Sequence, residues 1–178
     1  LLMNTDAVSY YATFDNKAIG RMLGEYVIEK SGASPETPKT IELFMGSPDD
    51  NNAHVFYEGI MEVIQPLLDD GSLVCRSGQI DFEENCILRW DQQASMRRCE
   101  DILSRYYTDE KLDIVLSPSD TLSYGCMSAL DSAGYKVGKD WPILTGQDAE
   151  VMAVKYIISG RQTMSIAKDT RLLAAKCV

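Results

Sequence analysis

The sequence predicts a doubly wound α/β fold, a mostly parallel sheet with helices on both faces. Two observations carry this. Short apolar runs alternate along the chain with amphipathic stretches of helical length, and Gly, Pro, Asn and Asp clusters separate them. Such alternation implies parallel strands joined by helical crossovers. Crossovers are right-handed, so helices end up covering both sheet faces in three layers.

The elements follow in order. Val8 to Thr13 reads as a strand, and "DNKAIGRMLGEYVIEK" as a helix, because Ile19, Leu23, Tyr26 and Val27 recur at helical spacing. "SGASPETPKT" is a turn-rich connector to the strand "TIELFM". The next helix places Ala53, Phe56, Tyr57, Ile60, Val63, Ile64 and Leu67 on one face. "SLVCRS" is a strand, and a polar loop leads from it to Trp90. Met96, Cys99, Ile102, Leu103 and Tyr106 mark a helix. "LDIVLS" is a strand, and Thr121 to Ala133 a helix stopped at Gly134. "WPILTG" is a strand, and Ala149 to Ile158 a helix stopped at Gly160. "QTMSIA" is a last strand, and a last helix starts at Thr170.

Composition narrows the function. The chain has 178 residues, 45% hydrophobic and 25% charged, as in ordinary globular proteins. Its formal net charge is −10 and its pI about 4.5. That argues against a nucleic-acid partner, which needs basic surface, and against docking on anionic lipid. No apolar run of roughly 18 residues is present to span a membrane. Both ends read as cut, at "LLMNTD" and "LLAAKCV", so a fragment of a longer protein is expected. The 5 cysteines match no CxxC pattern. Cys99 and Cys126 read as small core hydrophobes, and sequence leaves any disulfide pairing open.

In doubly wound sheets, ligands bind beyond the carboxyl ends of the strands. Each strand end here is polar. Asp49, Asp50, Asn51 and Asn52 follow "TIELFM". Arg89, Trp90 and Asp91 close the loop after "SLVCRS". "SPSD" brings Ser119 and Asp120, and "GQDAE" brings Asp148. Taken singly, Asp, Asn and Ser at these places are helix N-caps, and a Trp is a core or rim aromatic. Capping does not explain four polar residues in a row, nor a Trp beside charges at a helix start. Carboxylates accept from neighbouring hydroxyls, and amides both donate and accept. An indole stacks on the apolar face of a pyranose ring. The set fits a neutral sugar. Phosphate motifs of the GxGxxG and GxxxxGK[ST] kinds are absent.

Catalysis is not expected. The single histidine, His54, lies in the first turn of a helix and reads as a surface residue, with ligand contact or base as lesser alternatives. No Ser or Cys sits in a nucleophile elbow. Adjacent carboxylates on one loop do not face each other across a glycosidic bond, and Asp49-Asp50 lacks the EF-hand order. Neither metal nor cofactor is expected.

"YYATFDN", "IELFMGSPDDNNA", "LRWD", "VLSPSD", "GQDAE" and "KDTR" occur in this order. Together they resemble the extracytoplasmic sugar-binding proteins of ABC transporters, in the branch with xylose-binding and multiple-sugar-binding receptors. The resemblance runs from about Tyr10 to the C-terminus. It implies a periplasmic-binding-protein type I lobe, the second of two lobes joined by hinge strands. Residues 1–160 would form that lobe, with a hinge near 10–15 beside Phe14 and Asp15. Residues 161–178 would return to a missing N-terminal lobe. By the same resemblance Asp50 and Asn52 are the acid and amide contacts, and Trp90 the stacking aromatic. Ser119 or Asp120 is the contact after the "VLSPSD" strand, Asp148 the acid of "GQDAE", and Lys168 a donor near the last hinge. It further implies a non-catalytic monomer outside the cytoplasm, possessing or lacking a lipid anchor, that captures a monosaccharide for a membrane permease. The rivals are a lac-repressor-like effector domain, which shares the fold, and a glycosidase-type enzyme.

Overall fold

The computed structural model describes residues 11–177 together with Ala7 and Ser9. The helical periodicity around Leu23 becomes α1, Asn16–Ser31, which buries Ile19, Leu23 and Val27. Asp15 caps it by accepting the Ala18 N–H at 2.9 Å, and Gly32 ends it in the left-handed conformation. Then come β1, Lys39–Leu43; α2, Asn51–Asp69; β2, Leu73–Val74; and α3, Phe82–Asn85. A 3₁₀ turn, Leu88–Trp90, leads to α4, Gln92–Tyr106. β3, Ile114–Leu116; α5, Asp120–Ser132; β4, Ile143–Leu144; α6, Val151–Ile158; and α7, Thr170–Cys177, complete the order.

The four strands pair in parallel in the order β2-β1-β3-β4. Side chains alternate across the sheet as a pleated strand requires. Ile41, Leu43, Ile114 and Leu116 face one core with α1 and α2. Phe44, Val115 and Leu144 face the other with α4 and α5. The sheet is therefore covered on both sides, as expected. No helix among the described residues is long and apolar enough to cross a membrane.

Several elements differ in extent from the sequence expectation. The expected strand Val8–Thr13 lies partly outside the described residues, and Tyr11–Thr13 form no strand. The "QTMSIA" segment makes only one isolated parallel bridge, Gln147↔Ile166. It does run beside β4, with Thr163 N–H to Leu144 O at 2.9 Å and Ile166 N–H to Gly146 O at 3.0 Å. The ladder is broken because the Leu144 N–H bonds the Thr163 hydroxyl, not a strand carbonyl. The loop before Trp90 holds α3 and the 3₁₀ turn. Their junction pairs with the end of β1 through a Met45↔Cys86 bridge. Cys99 and Cys126 are buried, and all five cysteines are unpaired among the described residues.

α1 and α2 meet where each carries a glycine. A Cβ on Gly59 would lie 2.2 Å from Lys17 O, and one on Gly20 would lie 2.2 Å from Phe56 O. Only bare backbone fits this crossing. Alanine gains roughly 1 kcal/mol of helix propensity over glycine, yet it must push two backbones apart. We expect Gly59→Ala to destabilise the chain by about 1–3 kcal/mol. Thermal unfolding followed by circular dichroism checks this, with a shift of roughly 2–4 °C per kcal/mol at this size.

Candidate functional site

The strand order turns back between β1 and β3, so the loops that follow these two strands diverge and leave a crevice. A cleft of about 280 Å³ lies there, lined by Asp50, Asn52, Phe56, Trp90, Pro118, Ser119, Thr121, Gln147, Asp148 and Lys168. It gathers residues from the ends of β1, β3 and β4, from the 3₁₀ turn and from the segment before α7.

The run after β1 divides its labour. Asp50 is the N-cap of α2, and its Oδ1 accepts the Asn52 N–H at 2.9 Å. Its other oxygen accepts the Trp90 indole N–H at 3.2 Å. One carboxylate therefore both starts the helix and fixes the aromatic wall. Asn52 Oδ1 accepts from Asn16 Nδ2 at 2.8 Å, which ties α1 to the cleft edge. Asp49 accepts from the Ser47 hydroxyl, and that oxygen accepts the Arg89 N–H at 2.7 Å. Asn51 is exposed in the first turn of α2. His54 is partly buried, against the Pro48 carbonyl at 2.9 Å and the Phe82 ring at 4.1 Å.

Trp90 is held from below as well. A Cβ on Gly46 would sit 2.0 Å from the indole Cη2, so the ring lies flush on the Gly46 backbone. Arg89 and Trp90 have φ of 59° and 54°, and Asp148 and Ala149 have φ of 95° and 50°. Among the described residues these are the only non-glycine residues at positive φ. Such conformations are costly for residues with a Cβ and cluster at functional sites. Here they sit on the two loops that face each other across the cleft.

At the β4 side, Lys168 Nζ lies 3.1 Å from Asp148 Oδ1 and 5.7 Å from the Phe56 ring centroid. Ser119 caps α5 through the Leu122 N–H and still lines the cleft. Asp120 departs from the expectation of a cleft-facing contact. It is 1% exposed, and its carboxylate points inward to Gln162, Ser165 and the Glu150 N–H. Burial pushes its carboxyl above the usual range, against the lowering effect of those bonds.

The structure adds Phe56, Pro118, Thr121 and Gln147 to the cleft wall. Gln147 stands out, because it is 3% exposed and its Oε1 has no partner among the described residues. A buried acceptor without a donor is costly. Its place beside Asp148 in "GQDAE" was the available signal, but nothing in spacing tells which of the two side chains turns inward.

Acceptors, an amide, an ammonium and an indole meet in one open crevice at the switch point of a doubly wound sheet. The chain belongs to the periplasmic binding protein domain family, which matches residues 2–178. It is 47% identical over 176 residues to the multiple sugar-binding periplasmic receptor ChvE of Rhizobium radiobacter, covering 98% of this chain and 50% of that protein. It is 30% identical over 175 residues to the D-xylose-binding periplasmic protein of Haemophilus influenzae, covering 98% and 48% respectively. An ABC transporter solute-binding protein from Clostridium phytofermentans, solved with bound β-D-glucose, superposes with a TM-score of 0.91. It shares 45% identity over 99% of this chain and 54% of that one. The chain spans about half the length of these relatives. The resemblance read from the sequence motifs thus holds at the level of the family and of its type I fold.

Gly46→Ala tests how the aromatic wall is seated. The added methyl occupies the place of the indole, so Trp90 must leave the Asp50 carboxylate. In a background where Trp141 is replaced by Phe, we expect a red-shifted emission and readier acrylamide quenching for Gly46→Ala, with unchanged far-ultraviolet circular dichroism.

Proposed function

We propose that this chain is one lobe of a two-lobe receptor that captures a monosaccharide without converting it. The second lobe lies outside the present sequence, and the chain beyond the 162–166 segment, which packs along β4, returns toward it. The captured sugar passes to the membrane permease of an ABC transporter, outside the cytoplasm. One observation carries this proposal. Asp50, Asn52, Trp90, Ser119, Asp148 and Lys168 come from distant parts of the chain and line one cleft at the topological switch point. The relative that holds β-D-glucose supports it.

The roles follow from chemistry. Asp50 and Asp148 accept sugar hydroxyls, Asn52 and Lys168 donate, and the Trp90 ring stacks on C–H groups. Gln147 Oε1 gains its missing donor from a sugar hydroxyl. Sugar held between lobes favours the closed form only through contacts that the open form lacks. A lone lobe makes part of those contacts and binds feebly.

Calorimetric titration of the two-lobe protein with D-glucose and D-xylose tests the proposal. Removing a hydrogen bond to a charged group costs about 1.5–3 kcal/mol, so Asp148→Ala should weaken binding at least tenfold. Trp90→Ala should do the same without unfolding the protein. Full sugar affinity in both variants would reject the assignment. Gln147→Leu separates binding from folding. It removes an unpaired buried acceptor, so the urea midpoint should hold or rise, while sugar affinity falls by about tenfold.

A further inference from the structure

Asp120 opens α5 but faces away from the cleft. Its Oδ2 accepts the Glu150 N–H and the Ser165 hydroxyl, both at 3.0 Å. Its Oδ1 accepts from Gln162 Nε2 at 2.7 Å. Its own N–H donates to Gln147 O at 3.1 Å. Ser165 Oγ in turn accepts the Ala149 N–H at 2.9 Å, and the Asp148 N–H donates to Ile166 O at 2.9 Å. The network therefore joins the start of α5, the 147–150 loop and the 162–166 segment. The first of these loops holds Asp148 and Ala149 at positive φ. The 162–166 segment leads within two residues to Lys168. Gly146 lets the end of β4 pass flush against the network, because a Cβ there would lie 2.2 Å from Asp120 Oδ1 and 2.3 Å from Gln162 Nε2.

A buried carboxylate is tolerated only when donors surround it. Here every donor to it comes from the loop and the segment that build the β4 wall of the cleft. We propose that Asp120 is a positioning residue: it contacts no ligand, and it clamps the 147–150 loop to the 162–166 segment so that Asp148 stands against Lys168. Without the clamp the loop relaxes from its left-handed backbone, and the segment carrying Lys168 drifts. The ligand effect rests on the sugar-binding proposal above, whereas the clamp itself does not.

The test compares Asp120→Ala and Asp120→Asn in the full-length protein with two readouts. The first is amide hydrogen exchange without sugar. The second is D-glucose titration. Asp120→Ala should speed exchange in 147–150 and 162–166 while α1 and α2 keep wild-type protection. It should also weaken D-glucose binding by at least tenfold. Asp120→Asn should recover most of both. The asparagine oxygen serves Glu150 and Ser165. The Gln162 amide rotates to offer its Oε1, buried and unpartnered among the described residues, at the cost of the Gln162 Nε2 bond to Met164 O at 3.0 Å. Wild-type exchange in both segments of Asp120→Ala overturns the clamp. Loss of glucose affinity in Asp120→Asn with wild-type exchange overturns it too, since that marks a direct contact. Should Asp120→Ala unfold throughout, Ser165→Ala removes only the Ser165 bonds, to Asp120 and from the Ala149 N–H. Faster exchange confined to the two segments then supports the clamp, and unchanged exchange rejects it. If wild-type protein ignores glucose, the sugar proposal fails and the exchange readout still decides the clamp.

Discussion

The cleft depends on the point where the parallel sheet reverses its direction of growth. β1 sends its crossover to β2 on one side, and β3 sends its own to β4 on the other. The loops after β1 and β3 must part there, and among the described residues no helix fills the gap between them. Each neighbouring strand then delivers its end to one opening. Asp50 arrives from β1, Ser119 from β3, and Gln147 with Asp148 from β4. A site with donors and acceptors on several sides results from topology, before any side chain is chosen.

Strain and polar burial refine that opening. The left-handed residues Arg89, Trp90, Asp148 and Ala149 occupy the facing loops, and each pair is restrained by hydrogen bonds from outside its own loop. Trp90 leans on Gly46 and bonds Asp50. Ala149 bonds Ser165. Deeper in the sheet, Glu42 is fully buried on β1, where the Ser77 hydroxyl donates at 2.6 Å and the Tyr107 hydroxyl at 2.8 Å. Burial first, and Glu42 second, push the Tyr107 hydroxyl above its ordinary range. Arg98 donates to Leu43 O at 2.7 Å beside this carboxylate. The strand that leads to Asp50 is thus anchored by a buried polar cluster, and such clusters tolerate few alternative arrangements.

Much of this was legible in the order of residues. Alternating strand and helix patterns set the class, because amphipathic periodicity is a local property of the chain. The polar strand ends pointed to Asp50, Asn52, Trp90, Ser119 and Asp148, which line the cleft, but not to Phe56, Pro118, Thr121 or Gln147. Local pattern was weaker where tertiary pairing decides. The "QTMSIA" segment has strand composition, yet the Thr163 hydroxyl takes the bond that a regular ladder would use. The loop before Trp90 looked unstructured, and its α3 exists because Asn85 and Cys86 dock on the end of β1.

By itself the sequence determined the fold class, the order of the main helices and of the four paired strands, and the family, since these rest on periodicity, turn chemistry and motif order. Only the tertiary structure decided how neighbouring polar residues divide between cleft and interior. Ser119 lines the opening while Asp120, one residue on, is turned inward to Gln162, Ser165 and Glu150. Gln147 and Asp148 both reach the cleft, one buried and one half-exposed. The physical reason is that a side chain's direction depends on backbone angles and on donors supplied by segments remote in sequence, and neither is written in the local pattern.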